Sequence, residues 1–407
     1  MHVPAQTAPP LARTIALLQA IAICRGLVFV VPVLVPYFAT RIGLDFQQFL
    51  LTEAIFAATV AVMEVPSGWL ADRWQRRRVI ALGGIVGAVG FALLIPADGF
   101  VLASIAQATM GVGVSLISGA DTALLYDALL ARGQGDRFRV IEGRRHGFGL
   151  YAVGLSSLAG GAMYALDPVL PVLAMVVAYL GVIGCALVLS EPARTARPVQ
   201  ASAPRGGGLR RVLAGLRDHG NGLALPMAVC AILFAATSVG MWSQQAYYIA
   251  IGLPEVSFGV WIAVGFLAGG LAGQLGHHLD RRLGVVGALA VLWLGTALAY
   301  AASGLVVGWH GVGLLLAGSV TWGAGWPLLQ TLLNRQVSSA RRATALSAAS
   351  LATKLGFVPL SAAIGWLTDL HGVGVGLVGL SLWLLLGGAV VGGLRRRLVP
   401  PHIATAR

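Results

Sequence analysis

Twelve stretches of about twenty predominantly apolar residues follow one another along this chain, and each is long enough to cross the hydrocarbon core of a bilayer as a helix. They fall near 14–38, 48–71, 79–96, 100–130, 147–166, 168–190, 222–249, 256–277, 284–304, 311–333, 344–367 and 373–394. No other feature constrains the fold as strongly. Lipid offers no partner for backbone N–H and C=O groups, so only helices and closed barrels can span it. The alternating ten-residue segments of a barrel are absent. Composition agrees: 57% of the 407 residues are hydrophobic and 11% charged, with a mean hydropathy of +0.83. The opening MHVPAQTAPPLART carries no strongly basic stretch, which predicts an uncleaved first helix.

Charge predicts the orientation. With the N-terminus in the cytoplasm, the turns near 72–78, 131–145, 191–219, 277–283 and 334–343, together with both tails, hold 25 of the 28 Lys and Arg residues. That is the positive-inside pattern. The net charge of +13 is then a matter of topology and of anionic inner-leaflet lipid, and a nucleic-acid partner is not implied. Cys24, Cys185 and Cys230 lie in apolar spans without metal-ligand spacing. They read as packing residues, and no metal or cofactor is expected.

The longest polar interval, 191–220, reads EPARTARPVQASAPRGGGLRRVLAGLRDHG. It predicts a cytoplasmic linker, with a short amphipathic helix at Leu209–Leu216, between a six-helix bundle at 1–190 and another at 221–407. Weak internal repeats support that division. GWLADR at 68–73 recurs as GHHLDR at 276–281, and the Ile-Gly-Leu of YFATRIGL at 37–44 recurs in YYIAIGL at 247–253. The fold class expected is all-α and integral to the membrane, with twelve transmembrane helices in two pseudo-symmetric six-helix bundles.

The turn after the second span has the pattern G-x-x-x-D-R-x-x-R-R, carried by Gly68, Asp72, Arg73, Arg76 and Arg77, and it is echoed by Gly276, Asp280 and Arg281. With two halves of six helices, this resembles the major facilitator superfamily over nearly the whole chain. The resemblance implies a gate. Asp72 would sit near the N-terminus of helix 11, and a loop arginine would pair with an acid at the cytoplasmic end of helix 4, a place that Asp127 fits. Gln75 replaces the glycine usual in the loop. Gln107 stands where many relatives carry the arginine four residues before a glycine, here Gly111. Ser156–Ser157 replace the glycine-proline of the helix-5 antiporter motif.

Ionisable residues within spans are costly and commonly mark a pathway. Arg25, Glu64, Asp121 and Lys354 are the candidates for proton coupling or substrate contact, and Glu53 lies nearer a span end. In the family fold helices 1, 4, 7 and 10 line the cavity, so Arg25 and Asp121 could meet there, as a switchable pair or as a permanent bridge. Lys354, the only lysine, could attract an anion or latch onto an acid. Trp242, Gln244, Gln245, Trp322, Trp326 and Gln330 are the candidate cavity residues, a mixture suited to an amphipathic organic molecule.

No phosphate-binding loop, G-x-S-x-G or H-E-x-x-H occurs, so a pump driven by ATP and an intramembrane hydrolase are both disfavoured and no enzyme is expected. The leading expectation is a proton-coupled exporter of small amphipathic compounds. An importer or uniporter of a metabolite or organic anion, and a non-transporting sensor or scaffold, are the alternatives. The Ala/Gly/Arg-rich, lysine-poor composition points to a bacterial inner membrane with both termini cytoplasmic, and the resemblance implies a monomer.

Overall fold

The structure, a computed structural model, describes residues 11–191, 223–337 and 342–398. The expected linker, apart from Glu191, and its amphipathic helix lie outside the described residues. Among those described there is no strand, and eleven helical segments are long and apolar enough to cross a membrane. They are α1 (Leu11–Ile42), α2 (Phe46–Arg73), α3 (Arg76–Leu94), α4 (Phe100–Leu130), α5 (Gly135–Leu166), α6 (Leu170–Val188) and α7 (Ala224–Ala250), then the run Glu255–Leu305, and Trp309–Leu333, Ala348–His371 and Val373–Gly393.

Glu255–Leu305 is unbroken in its assignment over 51 residues. A helix of that length would extend about 76 Å, more than twice the hydrocarbon core. Gly284 breaks it, with φ 68° and ψ 164°, a left-handed backbone that glycine adopts without a Cβ penalty. The arms before and after Gly284 are α8 and α9, so the spans that follow are α10, α11 and α12, and the spans among the described residues number twelve. The turn expected at 277–283 is corrected: this stretch is helical, and Asp280 and Arg281 ride on the end of α8. No helix breaker stands between Gly276 and Gly284.

A second boundary also moves. The fifth span was expected from residue 147, with Arg145 counted in a cytoplasmic turn. Its α-helical part instead begins at Phe138, and Arg145 is buried within it. The ten residues FRVIEGRRHG are too polar for an apolar window to find, yet they continue the helix.

By contacts the chain forms two compact units, one of residues 1–31 with 59–205 and one of 32–58 with 206–407. In the first, α3 packs on α4 and α6, and the first arm of α1 on α5 and α6. Small residues permit this closeness, as membrane helices without a hydrophobic drive between them require: a Cβ on Gly113 would come within 2.6 Å of the Gly87 nitrogen. In the second unit the arms α8 and α9 pack on α10 and α12, and a Cβ on Gly323 would fall 1.9 Å from the Gly269 carbonyl oxygen. Large apolar side chains cover the outside, with Val101, Leu155 and Leu267 all about 70% exposed, the inversion expected of a surface solvated by lipid.

Two spans, α1 and α4, are discontinuous. The first arm of α1 ends at Gly26, and helical structure resumes at Val31 with a single 3-10 turn containing Pro32. In α4 the helix stops at Ile117 and restarts at Ala120, across Ser118 and a left-handed Gly119 with φ 87°. Discontinuous spans of this kind expose backbone groups and commonly build the binding sites of transporters.

Candidate transport site and gates

Asp121 lies in the first turn of the second arm of α4, and Arg25 in the last turn of the first arm of α1. The two breaks therefore present opposite charges to one another. Arg25 Nη1 donates to Asp121 Oδ2 at 3.0 Å, and Arg145 Nη1, from α5, donates to the same oxygen at 2.5 Å. The Asp121 side chain is 1% exposed, Arg145 9% and Arg25 27%. A carboxylate so deeply buried needs its charge matched and its lone pairs filled. Its second oxygen, Oδ1, accepts the Thr122 N–H at 2.7 Å.

Arg145 extends the network. Its Nε donates to Glu142 Oε2 at 2.8 Å and its Nη2 to Glu142 Oε1 at 2.6 Å, a two-pronged geometry that fixes the guanidinium plane, while Nη2 also reaches Thr122 Oγ1 at 2.8 Å. The cluster thus balances two arginines against two acids. Ser156, which stands where the antiporter motif would be, supports the α1 break. Its Oγ accepts the Val28 N–H at 2.9 Å and lies 3.4 Å from the Gly26 carbonyl as a donor.

The Gly68–Arg77 loop motif forms a second cluster in the same unit. Arg76 Nη1 donates to Asp127 Oδ2, and to the Ala123 carbonyl at 2.9 Å. Arg73 lies over the Trp69 ring at 4.3 Å. Arg77 donates through Nη1 to the Leu189 carbonyl at 3.3 Å. Glu191 accepts the backbone N–H of Arg76 at 2.8 Å and of Arg77 at 3.4 Å, filling the unpaired start of α3 with a negative charge at the positive helix end. Asp72 is exposed, as is Gly68, and Gly276 is buried.

The other sequence candidates are spread more widely. Glu64 is exposed on α2 and makes no ion pair with Arg25 among the described residues. Lys354 is half-buried on α11. Of the expected cavity residues, three are engaged with neighbouring groups. Trp242 stands edge-on to Phe49 with centroids 5.4 Å apart, Gln244 donates to the Tyr248 hydroxyl, and Gln245 accepts the Val35 N–H at 3.1 Å. Trp322 and Trp326 instead stack on one face of α10, 6.0 Å apart and 5° from parallel, and Phe234 meets each edge-on. Trp322 is 43% exposed, and Gln330 is half-buried a turn beyond Trp326.

Sequence reading missed Arg145, Glu142, Thr122 and Glu191. The signal for the first two was present: Glu142 and Arg145 stand three apart, the spacing at which charged side chains meet on a helix.

Twelve passes, broken spans and a buried charge cluster within them define a polytopic solute carrier. Residues 17–361 match the sequence model of the Major Facilitator Superfamily, and the chain belongs to that family: it is a secondary transporter, not an enzyme. No curated protein matches at the sequence level. Solved structures do. The nucleoside transporter NupG is similar at a TM-score of 0.74 and 12% identity, over 95% of this chain and 98% of that one. A bacterial homolog of the human lysosomal transporter Spinster, inward-facing and unoccupied, gives 0.71 and 16% over 97% and 100%. An auto-inhibited POT family peptide transporter gives 0.74 and 14% over 95% and 98%. At these identities the likeness is one of fold.

Proposed function

We propose that the protein is a proton-coupled exporter of small amphipathic organic compounds, working by alternating access between the halves 1–190 and 221–407 as a monomer in a bacterial inner membrane, with both termini cytoplasmic. The observation that carries the coupling is the Asp121 carboxylate, 1% exposed and held by arginines from two other spans. A proton arriving on Asp121 removes the charge that holds Arg25, while Arg145 keeps Glu142 as its partner. Proton occupancy thereby becomes a change in what α1 is tied to, and a coupled carrier needs such a device. The stacked Trp322 and Trp326 offer a flat apolar face beside the amide of Gln330, which suits the apolar part of such a compound.

One observation favours a second reading, an importer or uniporter of an organic anion. Arg25 is the more exposed of the two arginines, and Asp121 retains Arg145 without it, so a substrate carboxylate can take Arg25 over. Proton movement in inverted vesicles, on adding lipophilic cations, organic anions and sugars in turn, separates the two. Proton release driven by amphipathic cations and abolished by Asp121→Asn supports the exporter. Accumulation of an anion that depends on Arg25 and persists in Asp121→Asn supports the second reading.

A further inference from the structure

The first four backbone N–H groups of a helix have no partner within it. At the start of α2 all four are satisfied, by two different sources. Asp45 takes two of them: its Oδ1 accepts the Gln48 N–H at 2.7 Å and its carbonyl the Phe49 N–H at 3.0 Å. Gln48 Oε1 returns the contact by accepting the Asp45 N–H at 3.2 Å, a capping box. The other two belong to Asp369, more than 300 residues away near the end of α11. Its Oδ1 accepts the Phe46 N–H at 3.1 Å and its Oδ2 the Gln47 N–H at 2.7 Å.

The same seam is closed by shape. Gly365, one turn before Asp369, lies so near α2 that a Cβ there would come within 2.6 Å of the Gln47 Cα. Farther along, Val35 is near the start of the short helix Leu34–Tyr37, and its N–H is received by Gln245 of α7.

We propose that Asp369 is a latch that keeps this end of the carrier closed, by lending α2 the half of its cap that the local sequence does not supply. The proposal rests on the alternating-access reading. A carboxylate on two amides at a helix N-terminus is favoured by the dipole as well as by the hydrogen bonds. When the seam parts, the Phe46 and Gln47 amides pass to water while Asp45 still holds the other two, so α2 survives the opening.

Residue-resolved hydrogen exchange on the purified full-length protein tests this, with Asp369→Ala, Asp369→Asn and Gly365→Leu each first shown to be monodisperse. The amide to watch is Val35, whose acceptor is Gln245. Asp369→Ala is expected to speed its exchange about tenfold, the ratio equivalent to one hydrogen bond of ordinary net strength. Asp369→Asn, which keeps one acceptor oxygen, falls between. Faster exchange confined to Phe46 and Gln47, with Val35 freed only by the Gly365→Leu wedge, makes Asp369 a local cap and overturns the latch. Val35 protected in all three variants means that this seam does not open, and the alternating-access reading falls with the latch.

Discussion

Arg145 and Arg25 donate to one and the same oxygen of Asp121, at 2.5 and 3.0 Å. They are not equivalent: Arg145 is also forked onto Glu142 and buried, whereas Arg25 is a quarter exposed. The fixed partner and the releasable one can therefore be told apart, and their removal has different consequences.

Arg145→Met leaves Asp121 and Glu142 short of a cation and should destabilise the protein by about 3 kcal/mol, the cost typical of breaking a buried pair from one side. Arg25→Met leaves the Arg145 pair intact and should cost about 1 kcal/mol, since exposure screens the charge. Thermal unfolding of the two variants in detergent checks the order. Equal losses would contradict the distinction.

The α4 break gives a backbone prediction. Gly119 has φ 87°, and nothing lies within 4 Å of where its Cβ would be. Gly119→Ala therefore meets no steric clash and should cost only the backbone strain of an L residue at φ 87° and ψ −39°, about 1–3 kcal/mol. Because Asp121 follows two residues later, the same variant should lower transport more than its stability loss explains. Parallel melting and uptake measurements separate the two effects.

Ser156→Ala removes the acceptor of the Val28 N–H at the point where α1 is interrupted and its own helix supplies none. Leaving that donor unpaired should cost about 1–3 kcal/mol, and exchange at the Val28 amide should accelerate before exchange elsewhere in α1.

In the loop cluster, Arg76 and Asp127 are 15% and 31% exposed, so their pairing should be worth about 1 kcal/mol by double-mutant cycle, short of a buried bridge. A coupling near zero would reduce the pair to topology anchoring. Glu191→Gln should weaken the α3 start by a further ~0.5 kcal/mol through loss of charge at the helix end.

The small-residue contact between α8 and α10 supplies a paired control. Gly323→Ala places a methyl 1.9 Å from the Gly269 oxygen and should force the helices apart, at about 1–3 kcal/mol for an overpacked contact. Gly270→Ala, with nothing within 4 Å of its Cβ, should leave the melting temperature unchanged.

The sequence by itself determined the membrane class and the all-helical architecture, because a run of twenty apolar residues in lipid has one way to satisfy its backbone. It also singled out Arg25 and Asp121, since a charge inside a span is conspicuous against an apolar background, while Arg76 and Asp127 were picked out through the family resemblance. Tertiary structure decided who meets whom. Arg145 looked like a loop arginine until α5 proved to begin at Phe138 and turned it inward, and the 277–283 turn dissolved because a helix continues until something such as Gly284 stops it. Trp242 packs against Phe49 and Gln245 accepts an amide of α1, partners that neither residue's sequence position announces. Asp369 gave no local signal at all: its partners are backbone amides more than 300 residues away, and a bond to a main-chain N–H leaves no mark in the identity of the residue that donates it.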